Sequence, residues 1–280
     1  MASVSCPAFA FSKSMVATSP SKSDFSLGQY LLSDGPAGFM LSWVAGFVDT
    51  SAFIILFGIF TAHVTGNIAL AGYEFVQADE ESTITHLLMF PAFMVAVAAT
   101  SLLARYARHK QWPVFAVLLT AEALALTVFL WVGVSLSPYL IFNVQEEYIL
   151  PIGIAGVVAM AIQNAIMKEA KGVFKSYIPT TVMTGNTTQL TIDLVQVALS
   201  KMAPDTDEKA ALAAEEAKER MGRVIPIIIG FALGGLAATY FVLISETWWS
   251  LVLPTIVISF MAVVAFTEHA KAARDNASEG

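Results

Sequence analysis

Two short polar stretches interrupt an otherwise apolar chain of 280 residues: His63-Val64-Thr65-Gly66-Asn67 and Val182-Met183-Thr184-Gly185-Asn186. Thr-Gly-Asn suits the start of a helix, because Thr and Asn cap free backbone N–H groups and Gly lets the chain bend and a solute approach the backbone. Each copy follows an apolar run that carries polar side chains of its own, Asp49 in the first half and the pair Gln163-Asn164 in the second. With Asp49 aligned to Asn164, the Thr follows 16 residues on in the first half (49 to 65) and 20 in the second (164 to 184). This spacing reads as an internal duplication.

A carboxylate at the depth of Asp49 costs a few kcal/mol on insertion scales and so faces a cavity or a partner. No Lys or Arg falls inside an expected span, which leaves protonation or hydrogen bonding to groups such as Thr65, Asn67 or Asn164. Asp49 then either cycles a proton, orients a solute, or fastens the broken segment by accepting backbone N–H or Thr hydroxyl bonds. Glu122, within Thr120-Ala121-Glu122-Ala123-Leu124, is the other mid-span acid and a second candidate proton carrier. Its alternative role is a protonated carboxyl bonded to a neighbouring helix. His63 either titrates near neutrality or makes a structural bond. The candidate solute contacts are Asp49, His63, Thr65, Gly66, Asn67, Gln163, Asn164, Thr184, Gly185 and Asn186, with the two Asn residues able to act as simple caps instead.

The elements that must position these residues follow from composition. The chain is 56% hydrophobic and 13% charged, with a mean hydropathy of +0.69, whereas soluble domains carry about a quarter charged residues. Apolar spans are expected near 38–60, 84–104, 113–134, 149–167, 224–244 and 248–267, each long enough to cross a bilayer as a helix. All fifteen Lys and Arg lie in 1–36, 105–111, 168–175, 201–223 and after 267, while 76–86, 135–148 and 245–247 carry acids only. Placing every basic segment in the cytoplasm satisfies the positive-inside rule only if neither Thr-Gly-Asn segment, 61–77 or 177–199, crosses completely. The expected fold is therefore all-α and polytopic, with six transmembrane helices plus two re-entrant broken helices in an inverted 3+3 repeat. That arrangement is a transporter and channel signature.

The remaining organisation is simpler. Residues 1–36 read as a disordered cytoplasmic tail. A targeting segment is the alternative, against which the absence of Arg counts. Residues 37–138 form the first membrane repeat and 139–268 the second, which includes a polar cytoplasmic helix at 201–223, and 269–280 is a cytoplasmic tail. Gly230 and Gly234 give a small-residue packing face, and Trp248 and Trp249 fall where an aromatic belt belongs. The single Cys6, four scattered histidines and a net charge of −7 exclude an intrachain disulfide, a Cys-based metal site and a nucleic-acid partner. No nucleophile elbow, P-loop or dinucleotide motif is present. An enzyme is not expected, nor is a metal or other cofactor.

The residues Gly46-x-x-Asp49, Thr65-Gly66-Asn67, Gln163-Asn164-Ala165 and Thr184-Gly185-Asn186 together resemble the YoaK-like family of small, mostly bacterial membrane proteins. The resemblance runs from about residue 38 to 268. It departs modestly at Thr50, where Ala is commoner, at Ala161, where Gly often precedes the Gln-Asn pair, and in the long loop before the last two spans. The resemblance implies six spans and leaves the substrate open. The expected function is an integral membrane transporter or channel for a small polar or anionic solute, with proton coupling through Asp49 or Glu122. Its partners are the bilayer and the solute, with homo-oligomerisation left open. Its place is the inner (plasma) membrane, with both termini cytoplasmic. The alternative is a membrane scaffold or partner-binding subunit.

Overall fold

The structure, a computed structural model, describes residues 26–138, 144–170, 179–202 and 208–278. Among these the regular elements are all helical: α1 (Leu27–Leu31), α2 (Asp34–Ile55), α3 (Val64–Val76), α4 (Glu80–His109), α5 (Val114–Leu136), α6 (Glu146–Glu169), α7 (Met183–Ser200), α8 (Glu208–Ser245) and α9 (Val252–Ser278), with a 3₁₀ turn at Trp248–Leu251 before α9. Six of them, α2, α4, α5, α6, α8 and the Trp248–Asp275 stretch ending in α9, are long and apolar enough to cross a membrane.

Local chemistry sets the ends. Asp79 accepts the Ser82 N–H at 3.1 Å, with Glu80 and Glu81 in the first turn of α4 and Arg108 and His109 in its last, so charge complements the helix dipole at both ends. The first span stops at Ile55, short of residue 60. Phe57 (φ 52°) and Gly58 (φ 102°) turn the chain out of helical geometry there, and a β-branched or aromatic residue adopts such a φ only where the surroundings enforce it. Two further expectations are corrected. α1 and the start of α2 are helical within the stretch expected to be tail, and Ser26 Oγ donates to Glu268 Oε2 at 3.0 Å. The polar helix and the fifth span are one unbroken helix, α8, which carries Pro226 inside it. Residues 203–207, where an acidic cap was expected, lie outside the described residues.

The helix ends sort by charge. Leu56 and Phe57 at the end of α2 line one small space with Glu81 and His86 at the start of α4 and Glu146 at the start of α6. At the opposite end, Arg108 Nη2 reaches Glu169 Oε2 at 2.7 Å, joining the last turns of α4 and α6. The bundle thus has an acid end and a basic end. α2 finishes, and α4 begins, at the acid end.

The bundle centre is a seam between α2 and α8 built on glycine. A Cβ on Gly234 would overlap the Trp43 carbonyl, one on Gly46 the Phe231 carbonyl, and one on Gly230 would sit 2.5 Å from the Phe39 carbonyl. Small residues that let backbones approach are the means by which helices associate where lipid supplies no hydrophobic drive. Trp248 is not a belt residue: it is buried against Gly133 and Phe129 and donates Nε1–H to the Ser137 carbonyl at 3.2 Å, whereas Trp249 is exposed. The seam sets a test. Gly234→Ala should destabilise the purified protein by about 2 kcal/mol through overpacking. Gly222→Ala, on the same helix with open space around it, should be neutral or stabilising by up to about 1 kcal/mol. Thermal unfolding in detergent reads both.

Candidate functional site

The chain between α2 and α3 runs back alongside α2, and Asp49 holds it there. Asp49 Oδ1 accepts the backbone N–H of Thr61 at 2.8 Å, that of Ala62 at 2.7 Å and the Thr61 hydroxyl at 3.3 Å. Oδ2 takes the Nδ1–H of His63 at 2.6 Å. The acid is buried, so each of these donors would otherwise be left without water, at about 1–3 kcal/mol apiece. These are the backbone N–H and threonine hydroxyl bonds expected of a fastening role, whereas Thr65, Asn67 and Asn164, the side chains also expected as partners, are not used. Asn67 instead closes the crossover on itself, donating Nδ2–H to the Phe60 carbonyl at 2.7 Å and accepting the Phe60 N–H at 2.9 Å. Its amide is committed to the chain on both sides.

The second half repeats the device with neutral groups. Asn186 donates to the Pro179 carbonyl at 2.7 Å. Proline has no N–H, so the return bond is missing. Thr181 Oγ1 donates to Asn164 Oδ1 at 2.6 Å, where Asp49 stands in the first half. Gln163 donates Nε2–H to the Leu41 carbonyl at 2.5 Å and lies 3.3 Å from Thr180 Oγ1. Phe60, Thr65, Gly66, Asn67 and Glu74 each lie 119 residues before Pro179, Thr184, Gly185, Asn186 and Asp193 (179 − 60, 193 − 74). The last of these pairs adds something the sequence reading missed. Glu74 on α3 meets Nδ1 of His86 on α4 at 2.9 Å, and Asp193 on α7 meets Nη2 of Arg220 on α8 at 2.9 Å. Each short helix is clasped to the long one after it by an acid seven residues past the Asn. That shared spacing was the available signal.

The two crossovers interlock between α2 and α6. Ser42 on α2 donates to the Thr180 carbonyl at 3.0 Å and lies 2.7 Å from that of Ile227. Gly153 and Gly156 on α6 leave room for Ile59 and Thr61. The Thr181 backbone also reaches His63. His63, outside the six spanning helices, is held above the ordinary imidazole value, first by its hydrogen bond to Asp49. Burial partly offsets this, and the Asp49 charge and Thr181 backbone add to it.

A cleft of about 440 Å³ opens beside this pair, lined by Asp49 and His63 together with Thr50, Phe53, Phe60, Thr65, Gly66 and Phe231. It draws together Asp49, His63, Thr65 and Gly66 from the expected set. Gln163, Asn164 and Asn186 are taken up by the second crossover, and Thr184 lines a separate open groove along one face of α7. Gly185 has only Val182 near it. Glu122 lies apart on α5, buried, with both carboxyl oxygens lacking a hydrogen-bond partner. Neither α3 nor α7 has a side-chain cap on its first turn, so backbone N–H groups remain available at both starts. Among the described residues no set of three His, Cys, Asp or Glu is placed to hold a metal ion.

Comparison with known proteins places the chain's sequence in a family. The profile described as a protein of unknown function, DUF1275, matches residues 37–264. The UPF0700 transmembrane protein YoaK of Bacillus subtilis (strain 168) is 30% identical over 156 residues. That match covers 55% of this chain and 64% of YoaK, just under two thirds of the relative's length. No solved structure matches.

The Asp49–His63 pair has a definite pH signature. Because the folded-state value of His63 is raised, its contribution to stability is fully present below the unfolded imidazole value and is lost as pH rises through the folded one. Thermal stability should therefore step down with rising pH in that window. His63→Gln should remove the step. Asp49→Asn, which leaves the crossover donors and the imidazolium short of an acceptor, should cost about 3 kcal/mol at pH 6.

Proposed function

We infer that this chain, which belongs to the DUF1275 family, is an integral membrane transporter or channel for a small polar or anionic solute. The observation that carries the reading is the pair of interlocked polar crossovers between α2 and α6. Irregular backbone inside a membrane protein persists only where protein or a water-filled cavity satisfies it. Here it is satisfied at a specific cost in buried polar residues, and it leaves one cleft open.

In this reading α3 and α7 are re-entrant. α2 ends and α4 begins at the acid end, so 56–79 enters and leaves from that side, and α7 belongs in the same way to the basic end, where α6 finishes. The halves are then inverted relative to one another. Three things support this: the constant 119-residue spacing, the symmetry-related clasps Glu74–His86 and Asp193–Arg220, and an exchanged pattern of packing. α2 lies on α8 as α6 lies on α4, and α3 lies on α4 as α7 lies on α8. The basic end faces the cytoplasm, by the positive-inside rule, and the membrane is the plasma membrane.

The solute meets the first turn of α3, where free N–H groups and the helix dipole favour negative charge. Asp49 accepts four donors from the crossover. Its work is to hold the crossover. The exchangeable proton resides on His63, and Glu122 is the second carrier.

Flux into proteoliposomes tests the function. Chloride, nitrate, formate, acetate and glycerol should be screened against empty vesicles, and at least one should enter in a protein-dependent way. No flux for the whole panel by folded protein removes the transport reading. Topology is tested with Cys6 replaced by Ser and one cysteine added. Gln77→Cys should label from outside the cell with an impermeant thiol reagent, and Lys201→Cys should not. Labelling of both from outside would mean that α7 crosses, and the inverted repeat would fall.

A further inference from the structure

We propose that the exposed face of α7 is a dimer interface, on which α7 of a second copy of this chain packs in parallel across a two-fold axis along the membrane normal. This goes beyond the transport reading but rests on its placing of α7 as a re-entrant helix, which sets the depth of each residue.

The polarity of the face is the reverse of what its surroundings favour. The clasp of Asp193 to Arg220 fixes the level of α7 against α8. The two helices run antiparallel, so residues 194–200 lie beside 213–219. That stretch of α8 carries Glu215, Glu216, Lys218 and Glu219, all exposed. It therefore stands outside the hydrocarbon, while the charge-free run 224–244 stands inside it. Before Asp193, at bilayer depth, α7 exposes Thr184, Thr187, Thr188 and Thr191. After Asp193, level with the charged part of α8, it exposes Leu194, Val195 and Leu199, and Met202 just past its end is 82% exposed. A helix facing first lipid and then water would show the opposite order. Hydroxyls at bilayer depth and hydrocarbon outside it call for one kind of cover, a protein surface that continues from the bilayer into the aqueous phase.

The occupant that fits is the same surface again. Thr184, Thr188, Thr191, Val195 and Ala198 are spaced 4, 3, 4 and 3 residues apart and all are exposed, which is the heptad seam of two parallel helices. Thr188 and Val195 fall at a positions, where β-branched residues favour two strands, and the small side chains let the helices approach closely. Asp193 is the single charged residue of α7 and is turned to Arg220 on α8, so like charges do not meet across the axis. A threonine hydroxyl is both donor and acceptor. Thr188 and Thr191 donate to the Thr184 and Thr187 carbonyls at 2.9 and 2.8 Å, and their oxygens remain acceptors for hydroxyls of the other copy. The stripe is thus complementary to itself, as an isologous contact requires. An open groove of about 590 Å³ follows these threonines and gives room to the side chains of an opposing helix.

The first half shows why α7 carries the seam. The equivalent positions on α3 are Thr65, Ala69, Gly72 and Val76, the same spacing with one hydroxyl in place of three, and α3 ends at Val76. Between the clasp residues Glu74 and His86 lie 11 residues (86 − 74 − 1), against 26 between Asp193 and Arg220 (220 − 193 − 1). The second half alone continues its short helix well past the clasp.

Single cysteines in the Cys6→Ser protein, oxidised with copper phenanthroline in native membranes, test the seam. Thr188→Cys and Val195→Cys should each give a disulfide-linked dimer, at least about fivefold more than Leu102→Cys, an exposed position on α4. The native protein, in mild detergent and in lipid nanodiscs, should have the mass of two chains. Val195→Glu, at an exposed position, should shift it to one chain by setting two carboxylates face to face, with the unfolding temperature of the chain retained. A single-chain mass for the native protein in both media, which needs no variant to fold, would overturn the proposal, as would equal cross-linking at Leu102 and Thr188. A dimer without solute flux would uphold the interface and count against transport, whereas flux by single chains would uphold transport and overturn the interface. Seam cross-links with Lys201→Cys labelled from outside would uphold the dimer and remove the re-entrant reading.

Discussion

The fold depends on one carboxylate accepting backbone donors. A chain that leaves a helix inside an apolar bundle exposes N–H groups that neither lipid nor neighbouring side chains will bind. Asp49 meets that requirement from the middle of α2 by taking the Thr61 and Ala62 N–H groups on one oxygen, which keeps the crossover against the helix it has just left. With the crossover in place, α3 must start level with Asp49, and Asn67 locks its first turn by reaching back to Phe60. The cleft, the position of His63 and the clasp of Glu74 to His86 all follow from where α3 begins. Remove the carboxylate and no other part of the first half fixes that point.

The same problem is solved in the second half without a charge. Asn164 meets a threonine hydroxyl in place of the two N–H groups, and Gln163 crosses to the Leu41 carbonyl on α2. The cross-half bonds explain why the two crossovers are not independent. Ser42 supports the second from α2, while Gly153 and Gly156 on α6 make room for the first. Each half holds the other's break, so the duplicated segments must fold as a pair. The glycine seam between α2 and α8 gives that pair a fixed wall to fold against.

Much of the fold was legible because its signals are local. Six apolar runs, their charge-free interiors and the segregation of bases gave six spanning helices, and Gly230 with Gly234 gave the tight seam. Thr-Gly-Asn marked two helix starts, and Asp49 stood out as a residue that must be satisfied. That it could fasten the break by accepting backbone N–H or threonine hydroxyl bonds was legible too; which residues supply them was not. Backbone N–H groups have no sequence signature, and Thr61 and Ala62 are ordinary residues. The Asn residues of the motif were legible as polar but not as self-closing, because that depends on a carbonyl seven residues earlier being turned toward them. Trp248 looked like a belt residue by position, yet the absence of a side chain at Gly133 gives it a buried slot. The continuity of α8 was hidden because a polar stretch followed by an apolar one, with Pro226 near the join, reads as two helices.

Divergence between the halves identifies which features are structural and which are available for chemistry. What both halves share, an Asn closing the crossover, an acid clasping the short helix and a polar residue on the preceding span, is what the break requires. What only the first has, a carboxylate–imidazole pair bordered by three phenyl rings, is not needed to make the break, since the second manages without it. A buried charged pair is expensive to keep, and a neutral version of the same contact exists 115 residues later in the same chain (164 − 49). Stability alone would favour the neutral form in both places. The charged version stands at the crossover that borders the cleft lined by Asp49, His63, Phe53, Phe60 and Phe231, so it is there, and not at the neutral crossover, that stability alone does not account for the residues present.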